Sequence, residues 1–282
     1  MDEDQKKKAR SGFPDLWGGL WLVLAALLLE SVFYALLSDL GSGLQGMPLA
    51  ALARLCAQAL LFTGITRFTQ ATYRQITHDS PAGIGVTLAL TLPVVGLWSA
   101  AALLFSSWLI ALLQWVWPLS RQEQAWMGAL ADPGLATIVM VCVMAPLLEE
   151  MLFRGVMLRS FLRRYPPTVA ITHSAAIFGL AHLNIYQFVN ALVIGWCLGW
   201  LYERTRSIWP GVLLHAAINS SLLWWPDPDV AAGTSADADP LGQPMLWVLG
   251  ALGLGAYVLG GLFMRSWLGA PGGNDRAKAR QP

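Results

Sequence analysis

Met140-Val-Cys-Val-Met-Ala-Pro146-Leu-Leu-Glu149-Glu150-Met-Leu-Phe-Arg154-Gly155 is an apolar run with two adjacent carboxylates in its middle. An ionisable group near the centre of a membrane span costs roughly 2.5–3.5 kcal/mol on insertion scales, so it usually pairs, lines a water-filled cavity or performs chemistry. The run therefore points at once to a membrane helix and to a site within it. Composition agrees: 56% of the 282 residues are hydrophobic, 12% are charged and 14 are Trp, with a mean hydropathy of +0.53. That is too apolar for an ordinary soluble domain and predicts an all-α polytopic membrane protein.

Apolar runs of about 20 residues bounded by polar or turn-forming segments predict eight helices, near 16–37, 47–67, 83–117, 135–158, 167–183, 186–202, 208–225 and 245–267. The third is long for one crossing and contains Pro93, so it reads either as one kinked, tilted helix or as a span plus an interfacial segment. Residues 1–268 read as one transmembrane domain, and the Gly-, Pro- and charge-rich segment 269–282 as a disordered tail. The first apolar run is longer than a signal-peptide core and no A-x-A-like site closes it, so it is expected to be retained. Cys56, Cys142 and Cys197 lie in apolar stretches without CxxC spacing and read as small buried hydrophobes.

With the N-terminus placed in the cytoplasm, that side receives Lys6, Lys7, Lys8 and Arg10, then Arg67 and Arg74. Arg159, Arg163 and Arg164 follow, then Arg204 and Arg206, and finally Arg265, Arg276, Lys278 and Arg280. The far side receives Arg121, while its longest loop, after Trp225, carries Asp227, Asp229, Asp237 and Asp239 and no base. This asymmetry is the positive-inside pattern and puts both termini in the cytoplasm. The net charge of +1 says little about partners, and nothing suggests nucleic-acid binding.

Three predicted helices carry polar groups at helical spacing: Glu149, Glu150 and Arg154; Phe178 and His182; His215 and Asn219. Residues i and i+4 share a helix face, so Glu150 can pair with Arg154 while Glu149 projects elsewhere and stays available. Counting about 1.5 Å per residue places Glu149, His182 and His215 roughly 10–20 Å in from the cytoplasmic boundary, where one cluster is feasible. His173 reads as structural and His78 as a solvated loop residue. Glu30 in the first helix, with Arg54 and Gln58 in the second, is expected to pair or to line the cavity.

Glu149-Glu150-Met-Leu-Phe-Arg154 fits EExxxR, Phe178-Gly-Leu-Ala-His182 fits FxxxH, and His215-Ala-Ala-Ile-Asn219 fits HxxxN, in that order on successive helices. Over about residues 135–225 the chain resembles the CAAX prenyl protease and bacteriocin-processing (CPBP, or Abi) family of intramembrane endopeptidases. The resemblance implies that Glu149 is the general base, activating a water held between it and His182. It implies that Glu150 and Arg154 position that base, and that His215 and Asn219 donate hydrogen bonds to the oxyanion. Its substrate would be a CAAX-type prenylated peptide or a membrane-associated peptide such as a bacteriocin leader, in a bacterial plasma membrane. A base with a tuned pKa and donors aimed at the developing oxyanion are what peptide hydrolysis requires.

Glu149, His182 and His215 are also a zinc-like set, although the HExxH helix that usually delivers such ligands is absent. Metal-dependent and metal-free mechanisms are both compatible with these residues. Two rival functions remain, a proton-coupled transporter using the same groups as a relay and a non-catalytic scaffold of the same fold. The oligomeric state is not legible.

Overall fold

The computed structural model describes residues 12–41, 43–121, 123, 133–224 and 244–267. The expected tail at 269–282, the Lys6–Arg10 cluster and the acidic loop after Trp225 lie outside the described residues. The chain forms α1 (Leu16–Asp39), α2 (Gly46–Thr69), the short α3 (Tyr73–Thr77), α4 (Ile84–Val116), α5 (Leu135–Arg164), α6 (Pro167–Leu180), α7 (Ile185–Thr205), α8 (Trp209–Trp224) and α9 (Pro244–Trp267). No strand occurs among the described residues beyond an isolated bridge between His78 and Ser207.

Six of these helices (α1, α2, α4, α5, α7 and α9) are long and apolar enough to cross a membrane. Of the other three, α3 has 5 residues, and α6 and α8 have 14 and 16, about 21 and 24 Å at 1.5 Å per residue. Eight substantial helices stand where eight were expected, but six of them have the length and apolarity of a membrane span, so the count of eight crossings is approximate. α4 is one continuous 33-residue helix with Pro93 inside it. Large apolar side chains face outward along the bundle, among them Trp21, Leu28 and Val32 on α1 and Leu252, Leu259 and Leu262 on α9. A chain with its hydrophobic residues outside as well as inside has lipid as its solvent. This is a polytopic helical membrane protein.

Two apolar clusters form the interior. One gathers α1, α2, α5 and α6 around Leu158, Phe161 and Phe178. The other gathers α4, α7, α8 and α9 around Trp98, Leu198 and Leu214. Gly250 and Gly253 let α9 approach α4, since a Cβ there would stand 2.7 Å from Trp108 and Phe105 respectively. Close approach through small residues is how helices pack where lipid is no worse a solvent than a neighbouring helix. Cys142 and Cys197 are buried free thiols and Cys56 is half-buried.

Candidate active site

α5 is not a uniform helix. Met140–Met144 and Met151–Leu158 are wound as π-helix, and the six α-helical residues Ala145–Glu150 between them carry the glutamate pair. The first π segment has a cause in the sequence. Pro146 has no N–H to offer Val141 five residues back, and the N–H of Ala145 is already given to the carbonyl of Met140. Val141 O instead accepts a 2.9 Å hydrogen bond from Asn219 Nδ2 of α8. A side chain on a neighbouring helix thus meets the demand that a buried carbonyl be satisfied.

Glu150 and Arg154 are both fully buried, with Arg154 Nη1 donating to Glu150 Oε1 at 2.6 Å, as the i,i+4 spacing predicts. Arg154 also donates from Nη2 to the Gly195 carbonyl of α7 at 3.1 Å. Its guanidinium lies over the Phe178 ring of α6, 4.6 Å from the centroid. One cation therefore ties three helices together. Gly211 of α8 completes this contact, because a Cβ there would stand 2.7 Å from Glu150 Oε2.

Glu149 departs from expectation. Rather than standing free, it accepts a 2.7 Å hydrogen bond from Arg54 Nη2 of α2 on Oε1. Arg54 Nε is also 3.4 Å from Glu30 Oε1 of α1, and Gln58 Nε2 donates to the same Glu30 oxygen at 3.5 Å. Glu30, Arg54 and Gln58 thus both pair and line the cavity, and they complete a site that the three motifs describe only in part. The missing signal was a long-range pairing; the clue available was that all three are polar residues inside spans.

His215 bridges the carboxylates. Its Nδ1 is 3.4 Å from Glu150 Oε1 and its Nε2 is 3.8 Å from Glu149 Oε2. His182 lies just past the end of α6, in a turn rather than on the helix expected to run to 183. Its Nδ1 is 2.9 Å from Phe178 O. A carbonyl only accepts, so Nδ1 carries the proton and a neutral ring presents Nε2 as its lone-pair nitrogen. Phe178 meets both rings edge-on, with centroids 5.0 Å from His182 and 5.7 Å from His215, so the aromatic of FxxxH spaces the two histidines.

Glu30, Arg54, Gln58, Glu149, His182 and Gln187 line one cavity of about 220 Å³, walled by Val23, Ala26, Leu27, Leu152 and Phe153. That volume equals the liquid share of about seven waters. His215 and Asn219 are not among its lining residues; they reach it through Glu149 and the backbone of α5. Among the described residues no three His, Cys, Asp or Glu side chains converge where a metal ion could be held. The Arg54 guanidinium already holds Glu149 Oε1, which opposes a second cation at that carboxylate, whereas His182 keeps Nε2 free beside its Nδ1 bond to a carbonyl. His173 packs edge-on against Tyr165 and Phe161, as a structural residue does. His78 is part-buried, with Nε2 2.7 Å from Ala82 O, and not the solvated side chain expected.

Residues 130–221 match the family model described as "Type II CAAX prenyl endopeptidase Rce1-like". The chain is also 26% identical over 83 residues to the Bacillus subtilis protein named "Putative membrane peptidase YdiL". That match covers 29% of this chain and 34% of the relative, so the chain spans about a third of the length of the curated relative it matches. No solved structure gives a significant match. The family match encloses all three motifs and both π segments, whereas Glu30, Arg54 and Gln58 lie outside it. Over residues 130–221, the helices that carry the glutamate pair, His182, His215 and Asn219, the chain is similar to the Rce1-like type II CAAX prenyl endopeptidases.

Proposed function

We propose that the protein is an intramembrane endopeptidase that hydrolyses a peptide bond near the cytoplasmic membrane surface, with Glu149 as general base. The observation that carries this reading is the shared cavity: Glu149 and His182, brought from different elements, line one hollow of about 220 Å³, large enough for water. Arg54 occupies Oε1 of Glu149 and leaves Oε2 to take a proton from that water. The resulting hydroxide attacks the scissile carbonyl carbon, and the charge moves to the carbonyl oxygen. Collapse breaks the C–N bond, and the proton held on Glu149 passes to the departing amine.

His182, with Nε2 as the lone-pair nitrogen, orients the water. Glu150 and Arg154 fix the helix on which Glu149 stands. His215 and the second N–H of the Asn219 amide are the oxyanion donors, the first N–H being committed to Val141 O; removing one such donor costs about 2.7–4 kcal/mol of barrier. The substrate class is a CAAX-type prenylated C-terminal peptide or a bacteriocin-like membrane-associated peptide, in a bacterial plasma membrane with both termini cytoplasmic.

The test is proteolysis in liposomes of prenylated and leader-type peptides by wild type, Glu149→Gln and His182→Ala, each with and without a chelator. Each substitution is expected to lower kcat by about 10²–10⁴-fold, the range for losing a general base. Chelator sensitivity of the wild type would return a metal to the mechanism. Cleavage unchanged in Glu149→Gln would overturn the mechanism, and a well-folded Glu149→Gln that retains every cellular phenotype would favour the scaffold.

A further inference from the structure

A second cavity, of about 210 Å³, lies away from the glutamate pair, between the lead-in to α1, the end of α2, α3 and the last turns of α5. Its two halves differ in chemistry. Phe13, Ile65, Ala71, Ile76 and Val156 make an apolar wall, whereas Arg159 and Arg163 supply guanidiniums and Gln70 and Gln75 neutral amides. No carboxylate is among the described lining residues. Arg159 gives one N–H to Asp79 outside the cavity at 3.3 Å, but its buried Nε has no hydrogen-bond partner. Arg206, from the turn after α7, acts electrostatically on the same cluster as Arg159 and Arg163. Several cations crowd together around the exposed carboxylate of Asp79, at an Arg-rich end of the bundle.

We propose that this cavity is a binding site for the phosphate of an anionic phospholipid headgroup. Planar guanidiniums recognise phosphate oxygens bidentately, and basic pockets between transmembrane helices at a membrane surface suit lipid headgroups. The phosphate chemistry is shared with free inorganic phosphate. The apolar wall and the position at the end of membrane-length helices favour the lipid, whose glycerol and first acyl carbons would lie against Phe13 and Ile65. The site stands independently of the proteolytic reading and uses none of its residues.

One substitution separates charge from folding. Thr72 and Gln75 form a capping box at the start of α3, with Thr72 N donating to Gln75 Oε1 at 3.0 Å and Gln75 N donating to Thr72 Oγ1 at 3.3 Å. Glutamate serves equally well in that box, so Gln75→Glu keeps the cap while placing a carboxylate in the cavity. Native mass spectrometry of the full chain in detergent would be used to titrate phosphatidylglycerol and phosphatidylcholine against wild type, Gln75→Glu and Arg159→Gln/Arg163→Gln. Phosphatidylglycerol should bind wild type more tightly than phosphatidylcholine, weakening about fivefold in Gln75→Glu and about thirtyfold in the double variant, from about one surface-charge increment per residue. Phosphatidylcholine, whose phosphate is offset by its own quaternary ammonium, should weaken by a smaller factor. Equal binding of the two lipids, or unchanged phosphatidylglycerol binding by Gln75→Glu, would overturn the site. Displacement of phosphatidylglycerol by millimolar inorganic phosphate would overturn the assignment to lipid.

Discussion

The carboxylate of Glu149 is held by a guanidinium 95 residues earlier in the chain, at 2.7 Å. A charge-assisted bond of that length fixes a side chain as well as neutralising it. Arg54 itself is flanked by Glu30, so its position is set from both sides. In the proteolytic reading Arg54 is a positioning residue, and its loss should act on turnover rather than on substrate affinity. Arg54→Gln is expected to lower kcat by about a hundredfold, the order of effect of an ångström-scale misplacement, with KM nearly unchanged; Arg54→Lys should restore part of the rate by keeping the charge. A split between kcat and KM measured on the peptide cleaved by wild type checks this. Equal losses in both variants accompanied by a fall in melting temperature would instead mark Arg54 as structural. Of the residues at this site, Glu150 and Arg154 were legible because i,i+4 spacing needs only local geometry. The bond from Arg54 was not, because nothing in a linear sequence says which embedded cation meets which embedded carboxylate.

At the scale of the element, α5 departs from the 3.6-residue period on which helix reading rests. The position of the helix was legible from hydropathy, but its π segments were not, since they change the winding and leave composition untouched. Pro146 was the visible cause: its missing N–H leaves Val141 O to be satisfied by Asn219. This pairing predicts a coupling. Asn219→Ala should destabilise the protein by about 1–3 kcal/mol, the cost of leaving a buried carbonyl unsatisfied. Pro146→Ala restores an N–H five residues after Val141, so the same Asn219→Ala substitution should cost less in that background, with a coupling of about 1 kcal/mol. Reversible unfolding in mixed micelles of the two single variants and the double variant closes the cycle. Strict additivity would mean that Asn219 does not serve the orphaned carbonyl and that its amide is held there for the oxyanion alone. A related limit applies to α6, whose predicted extension through His182 stops at Leu180. Asn184 begins α7 by accepting hydrogen bonds from Tyr186 N and Gln187 N, and the chain between the two helices turns instead of continuing.

At the scale of the molecule, that turn bears on how the chain crosses the bilayer. α7 has 21 residues, about 31 Å, and α6 packs beside it with 14 residues, about 21 Å. We propose that the 181–184 turn makes up the remaining height, with non-helical backbone at membrane depth. Irregular backbone is tolerated there where it is covered by protein or lines a cavity, and Ala181 and His182 both line the polar cavity. On that reading α6 crosses with α7 as a hairpin that begins and ends on one side of the membrane, and α8 leaves that side after Arg206. The Arg-bearing ends of α2, α5 and α7 then share that side, and Arg121 lies on the other. Replacing Cys56, Cys142 and Cys197 by alanine and introducing single cysteines at 74, 206 and 121 tests this arrangement. A membrane-impermeant maleimide added to intact cells should label position 121 and leave 74 and 206 unlabelled until the membrane is opened. Labelling of 206 from outside while 74 stays protected would break the hairpin and place α6 and α7 on a re-entrant path. Labelling of both would invert the protein and move the cavity that holds Glu149 and His182 to the opposite face of the membrane.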